Sequence, residues 1–162
     1  MKRRDFLKNT AIVTAATALV SCDIETDIST SITLKNGGLP IVISTWNHGI
    51  AANEAAMELI NNGGRAIDAV EAGVRVPESD PEMMSVGYGG LPDRDGHVTL
   101  DACIMDETGN CGAVSYLEHI MNPISVARKV MDETPHVMLS GKGAYDFAIE
   151  KGFKRENLLT EK

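Results

Sequence analysis

Ser85-Val-Gly-Tyr-Gly-Gly-Leu-Pro-Asp-Arg-Asp-Gly96 runs directly into His97-Val-Thr-Leu-Asp-Ala-Cys-Ile-Met-Asp106 and then to Cys111-Gly-Ala-Val-Ser-Tyr-Leu-Glu118, and these stretches decide the fold. Val98, Leu100, Ala102 and Ile104 alternate with Thr99, Asp101, Cys103 and Met105, the two-residue period of a half-buried strand. Glu107-Thr-Gly-Asn110 offers turn residues before the second run, so the sequence predicts an antiparallel hairpin. Upstream, Gly87, Gly89 and Gly90 around Tyr88 leave backbone that is nearly bare and free to take positive φ. A loop of that kind is expected to lie against something.

Working outward, the flanking segments read as helices that need a sheet to cover. Ala51/Ala52, Ala55/Ala56 and Leu59/Ile60 form one apolar helix face, stopped by Gly63-Gly64. A second face, Ala66/Ile67, Val70 and Val74, is expected to end at Pro77, with the acidic segment around Pro81 as loop. After the hairpin, Asn122-Pro123 reads as a cap and first helical residue for a face of Ile124, Ala127, Val130 and Met131. Pro135–Leu139 reads as a short strand or an extended linker, and Ser140 as the cap of a last helix through Ala144, Phe147 and Ala148, closed by Gly152. Leu39-Pro-Ile-Val-Ile-Ser-Thr45, with its continuous β-branched run, predicts a strand buried on both faces at the start of the domain. Together these patterns give an α/β domain in which helices cover a sheet.

The chain has 162 residues, of which 43% are hydrophobic and only 4% aromatic. That suits one domain with an aliphatic core. A net charge of −8 without clustered Lys or Arg beyond the N-terminus argues against nucleic acid as a partner. The first residues are different: Lys2-Arg-Arg-Asp-Phe-Leu-Lys8 precedes a short uncharged run from Ala11 to Val20, and Leu19-Val-Ser-Cys22 follows. Residues 1–21 therefore read as a twin-arginine export signal of the lipoprotein type, with Cys22 as the lipidated residue. Residues 22–38, rich in Ser, Thr, Asp and Asn, read as a flexible tether. The folded domain is expected over 39–162, and removing the signal leaves a more acidic chain at −11. The expected location is periplasmic.

Few residues carry chemistry by pattern. His48, His97, His119 and His136 stand in four separate segments, and Asp93-Arg-Asp-Gly96 lacks the later ligands of a calcium loop. No metal site and no cofactor are expected, and the glycine loop lacks the order of a phosphate cradle. Cys103 and Cys111 read as two buried thiols, and could pair only if the hairpin turn centred on Glu107. Trp46, between a predicted strand and a helix, reads equally as pocket wall or core aromatic. Ser85 either lines a site or caps the glycine loop, and neither residue has a base beside it.

Pro40-Ile-Val-Ile-Ser-Thr-Trp-Asn47, Ser85-Val-Gly-Tyr-Gly-Gly90, Pro92-Asp-Arg-Asp-Gly96, Val98–Asp106, Asn122-Pro-Ile-Ser-Val-Ala127 and Thr134-Pro-His-Val-Met-Leu139, in that order, resemble the N-terminal half of a bacterial glycosylasparaginase, or aspartylglucosaminidase. The resemblance implies an N-terminal-nucleophile hydrolase with an αββα sandwich, made as a precursor that cuts itself before a threonine. That threonine then hydrolyses the amide joining N-acetylglucosamine to asparagine. It further implies that Trp46 lines the substrate pocket, that Ser85 lies near the nucleophile, and that αβ units assemble as dimers. His48 departs from the apolar aromatic expected at its position. No Asp-Thr pair occurs in the sequence, so no catalytic residue is expected in this chain. It reads as a partial sandwich, the α-subunit region, whose second half is the missing β-subunit partner and which is inactive alone. Alternatives are a β-aspartyl peptidase or asparaginase of the same fold, or a non-catalytic exported lipoprotein that only binds.

Overall fold

The computed structural model describes residues 38–161; the predicted export signal, nearly all of the tether and Cys22 lie outside the described residues. The elements fall within one unit, Pro40–Lys162. In chain order they are α1 (Gly49–Asn61), α2 (Ala66–Ser79), β1 (Thr99–Met105), β2 (Cys111–Glu118), α3 (Pro123–Glu133), β3 (Met138–Ser140) and α4 (Gly141–Glu150). The sheet runs β1-β2-β3, with β1 antiparallel and β3 parallel to β2. This is an α/β arrangement.

The hairpin forms as its alternation demands. Leu100 and Ile104 are buried while Asp101, Cys103 and Met105 are exposed. Its turn centres on Thr108, not Glu107: Met105 lies opposite Cys111 and Cys103 opposite Ala113, with Gly109 at φ +86° closing a three-residue loop. The Asp106 carboxylate accepts from the Thr108 and Asn110 amides and the Thr108 hydroxyl. Those bonds hold Asp106 below the usual carboxylate range. With this register the two cysteines cannot oppose each other; both are free, Cys103 exposed and Cys111 half-buried, so the expectation of two buried thiols is corrected.

Helices α3 and α4 pack onto the sheet, α3 against β1 and β2, α4 mainly against β2. Their apolar faces meet the strands in a core of Ile104, Val114, Leu117, Ile124, Val130 and Ala144. Leu117 is fully buried, and burying such a side chain contributes about 2 kcal/mol. Contact between α3 and β2 is so close that a Cβ on Gly112 would overlap the Ala127 carbonyl. Helix α1 packs on α2 through small residues: a Cβ on Gly73 would stand 2.8 Å from the Ala52 carbonyl oxygen.

Two boundaries differ from the sequence reading. Helix α2 continues through Pro77 to Ser79; a proline in the last turn forfeits one helical bond, and here its ring is buried. The predicted strand at Leu39–Thr45 is absent: these residues take no regular structure, and Ile41 and Ile43 are 81% and 86% exposed. No described strand pairs with them, the sheet's pairings being β1 with β2 and β2 with β3. A β-branched run without a ladder partner has nowhere to satisfy its backbone as a strand.

Candidate functional site

The segment before α1 doubles back sharply. A Cβ on Gly49 would overlap the Ser44 side chain, so glycine is needed where the chain crosses itself. The Gly49 amide donates to the Trp46 carbonyl at 3.1 Å and the Ile50 amide to Asn47 at 3.2 Å. Trp46 sits at the apex of this turn with φ +64°, a conformation costing an aromatic residue about 1 kcal/mol or more. It is 75% exposed, and its ring meets the His48 imidazole edge-on at 5.7 Å between centroids. Among the described residues Trp46 is thus no core aromatic.

Opposite lies the glycine loop. It is closed by the Leu91 amide donating to the Met84 carbonyl at 2.9 Å, and anchored by Tyr88 donating to the Glu78 carbonyl at 2.7 Å and Gly89 to Leu158 at 2.8 Å. Gly87, at φ +59°, abuts Glu78 so closely that any Cβ would overlap its main chain. This is the surface against which the bare backbone lies, and it leaves Ser85 exposed on the loop.

Between the two segments is a cavity of about 360 Å³. One side is Ile43 to Thr45 with His48 and Gly49; the other is Val86 with Asp101 to Cys103 of β1, and Glu78 and Ile124 complete the wall. Thr45 and Val86 line the cavity, whereas their sequence neighbours Trp46 and Ser85, the two predicted residues, are not among the lining side chains. Asp101 sits at a break in the hairpin ladder, where Ser115 and Tyr116 together oppose it. Tyr116 takes φ +51°, and its amide donates to the Asp101 carboxylate at 2.8 Å. A bulge of this kind re-aims side chains beside a site.

Glu78 was hidden in the sequence, where the Pro77–Asp80 stretch reads as the start of an acidic loop. It is 3% exposed. Its carboxylate accepts from the Ile124 amide at 3.1 Å and from the Asn122 side chain at 3.4 Å. Asn122 therefore does not cap α3 with its own side chain, as expected, but reaches back to Glu78 and to the Ser79 hydroxyl at 2.9 Å. Burial raises the Glu78 carboxyl to about 8, against the lowering pull of those hydrogen bonds and of Arg75. The available signal was its position seven residues after Glu71 and eleven after Ile67, on the inward face of α2. On the same seam Ser125 donates to Glu71 at 2.6 Å, and Arg128 reaches Asp68 at 3.1 Å.

A cavity of this size with a few convergent polar groups between α/β elements has the dimensions and lining that small molecules use. It offers hydrogen bonding and shape; among the described residues no group of three or more His, Cys, Asp or Glu is arranged to hold a metal ion. The chain belongs to the asparaginase family, whose model matches residues 45–162. It is 58% identical over 158 residues to the N(4)-(beta-N-acetylglucosaminyl)-L-asparaginase of Elizabethkingia miricola, covering 98% of this chain and 46% of that protein. The Rattus norvegicus protein of the same name is 46% identical over 123 residues, covering 75% of this chain and 35% of that protein. The isoaspartyl peptidase/L-asparaginase of the rat is 38% identical over 145 residues, covering 84% and 43%. The chain spans less than half the length of each of these relatives.

Proposed function

We propose that this chain forms one wall of the substrate pocket of an amidohydrolase that cleaves the N4-(β-N-acetylglucosaminyl)-L-asparagine linkage. The observation that carries the reading is the 58% identity to a glycosylasparaginase over 98% of the chain, against 38% to an isoaspartyl peptidase/asparaginase. The cavity lined by Thr45 and Val86, next in sequence to Trp46 and Ser85, is consistent with it. Trp46 supplies a flat apolar surface for the substrate, and Ser85 a hydroxyl at the opposite rim.

Amide hydrolysis also needs an activated nucleophile and donors for the oxyanion. With no Asp-Thr pair in the chain, the threonine that the resemblance implies comes from a β-subunit partner, and the completed αβ units pair as dimers. By itself the chain binds and orients without turnover. Export by the twin-arginine route, periplasmic location and acylation at Cys22 complete the proposal.

The test is a chimaera in which residues 1–162 replace the matching part of the Elizabethkingia miricola relative. Self-cleavage followed by hydrolysis of glycosylated asparagine, with kcat/KM about tenfold or more above that for a β-aspartyl dipeptide, is the expected result. Preference for the dipeptide would transfer the assignment to the isoaspartyl peptidase/asparaginase class. A folded chimaera that neither cleaves nor hydrolyses, beside an active relative, would leave only a binding module.

A further inference from the structure

Glu78 touches more of the site's framework than any role as a solvated acid requires. Its main-chain carbonyl accepts from Tyr88 at 2.7 Å, and its main chain is the surface that Gly87 abuts. Its carboxylate meanwhile ties this last turn of α2 to the head of α3 through Ile124 and Asn122. Glu78 and Ile124 both line the cavity, beside Val86. We propose that Glu78 is a positioning residue that fixes the Val86 rim of the cavity, holding the glycine loop with its backbone while its side chain locks that backbone to α3. The proposal rests on the reading of the cavity as the substrate pocket.

The chemistry of its surroundings agrees. Glu71 and Arg75 face Glu78 along α2, while Asp101 of β1 and His48 at the head of α1 stand across the cavity. Burial in this setting raises the carboxyl to about 8, so near neutral pH it is chiefly the uncharged acid, which glutamine imitates in size and keeps an oxygen for the Ile124 amide. Aspartate, one methylene shorter, cannot reach Ile124 from the same backbone position without pulling the turn. Glutamine should therefore preserve the loop, and aspartate or alanine should displace it.

Two readouts test this. In the chimaera, E78D and E78A should raise KM about fivefold to tenfold per cleaved molecule while E78Q restores it, since a misplaced rim loosens substrate positioning. In the 162-residue chain, E78A should accelerate amide hydrogen exchange at Tyr88 by about tenfold relative to the amides of Asp106 and Asn110 in the hairpin turn, with E78Q protecting as the parent does. Exchange does not depend on what the cavity binds, so it stands even if the substrate assignment fails. Unchanged KM in E78D, or equal loss of protection at Tyr88 and in the hairpin, would reduce Glu78 to a general stabiliser and overturn the proposal. If E78A yields no soluble chain, E78D is compared in its place on the same two criteria.

Discussion

Replacing Glu78 by glutamine should reverse its effect on stability between acid and alkaline pH. In the native chain burial lifts the carboxyl from 4.5 to about 8, so between those pH values the folded state keeps a proton that the unfolded chain has released. Stability is then fully present below about pH 4.5 and is lost as pH rises through about 8. At about 1.4 kcal/mol per tenfold, the span amounts to a fall of up to about 5 kcal/mol. Glutamine does not ionise and escapes that fall, but presents an extra N–H toward Asn122, a mismatch of about 1 kcal/mol. At pH 4 the variant should be the weaker by about that amount, and at pH 8.5 the stronger by several kcal/mol. Urea titrations at both pH values, followed by far-UV circular dichroism, measure the crossover. Tryptophan emission is the wrong probe, because Trp46 is already 75% exposed in the folded chain. A stability difference that does not change with pH would refute the reasoning. A larger loss for E78Q at pH 8.5 than at pH 4 would show that the head of α3 and Arg75 hold Glu78 as an anion, their attraction exceeding the burial cost.

In the chimaera, Trp46→Ala should leave self-cleavage intact and raise KM for glycosylated asparagine about tenfold, which steady-state kinetics on the cleaved enzyme would show; an unchanged KM would remove Trp46 from the pocket. Replacing Arg3 and Arg4 by lysine should hold unprocessed chain in the cytoplasm, visible by fractionation and immunoblotting, and a radiolabelled fatty acid should be incorporated at Cys22 in the parent but not in a Cys22→Ser variant.

What could be read in advance is what local pattern determines. The hairpin alternation from Val98 to Met105 names its own buried face, and Gly63-Gly64 stops α1 because Gly63 takes φ +81°, as a helix end favours. Of the segments around Trp46 and Ser85, the fold brings Thr45 and Val86 to one cavity. The remainder depends on partners distant in sequence. Ile41-Val-Ile43 has strand propensity, but propensity needs a ladder, and none of the described strands pairs with it. Pro77 reads as a stop because the rule concerns hydrogen bonds, whereas burial of its ring carries the helix two residues further. Glu78 and Asn122 each read as ordinary polar residues at element ends. Only their meeting, 44 positions apart, turns one into a buried acid and the other into its donor. The turn register that separates Cys103 from Cys111 likewise follows from Asp106 gathering the loop amides, a choice among several turns that the same residues allow.

The seat of α3 on β2 also sets how this gene can drift. Gly109 occupies open space and needs only its positive φ, so asparagine or aspartate could replace it at small cost. Gly112 has no such latitude: the Ala127 carbonyl and the Met131 backbone fill the volume where any side chain would begin. Every residue one nucleotide away from a glycine codon carries a Cβ, so each single step at this codon wedges the helix off the strand. Lineages should therefore keep this codon synonymous while the turn three residues earlier diversifies, and that contrast between neighbouring sites would register how closely helix and strand approach.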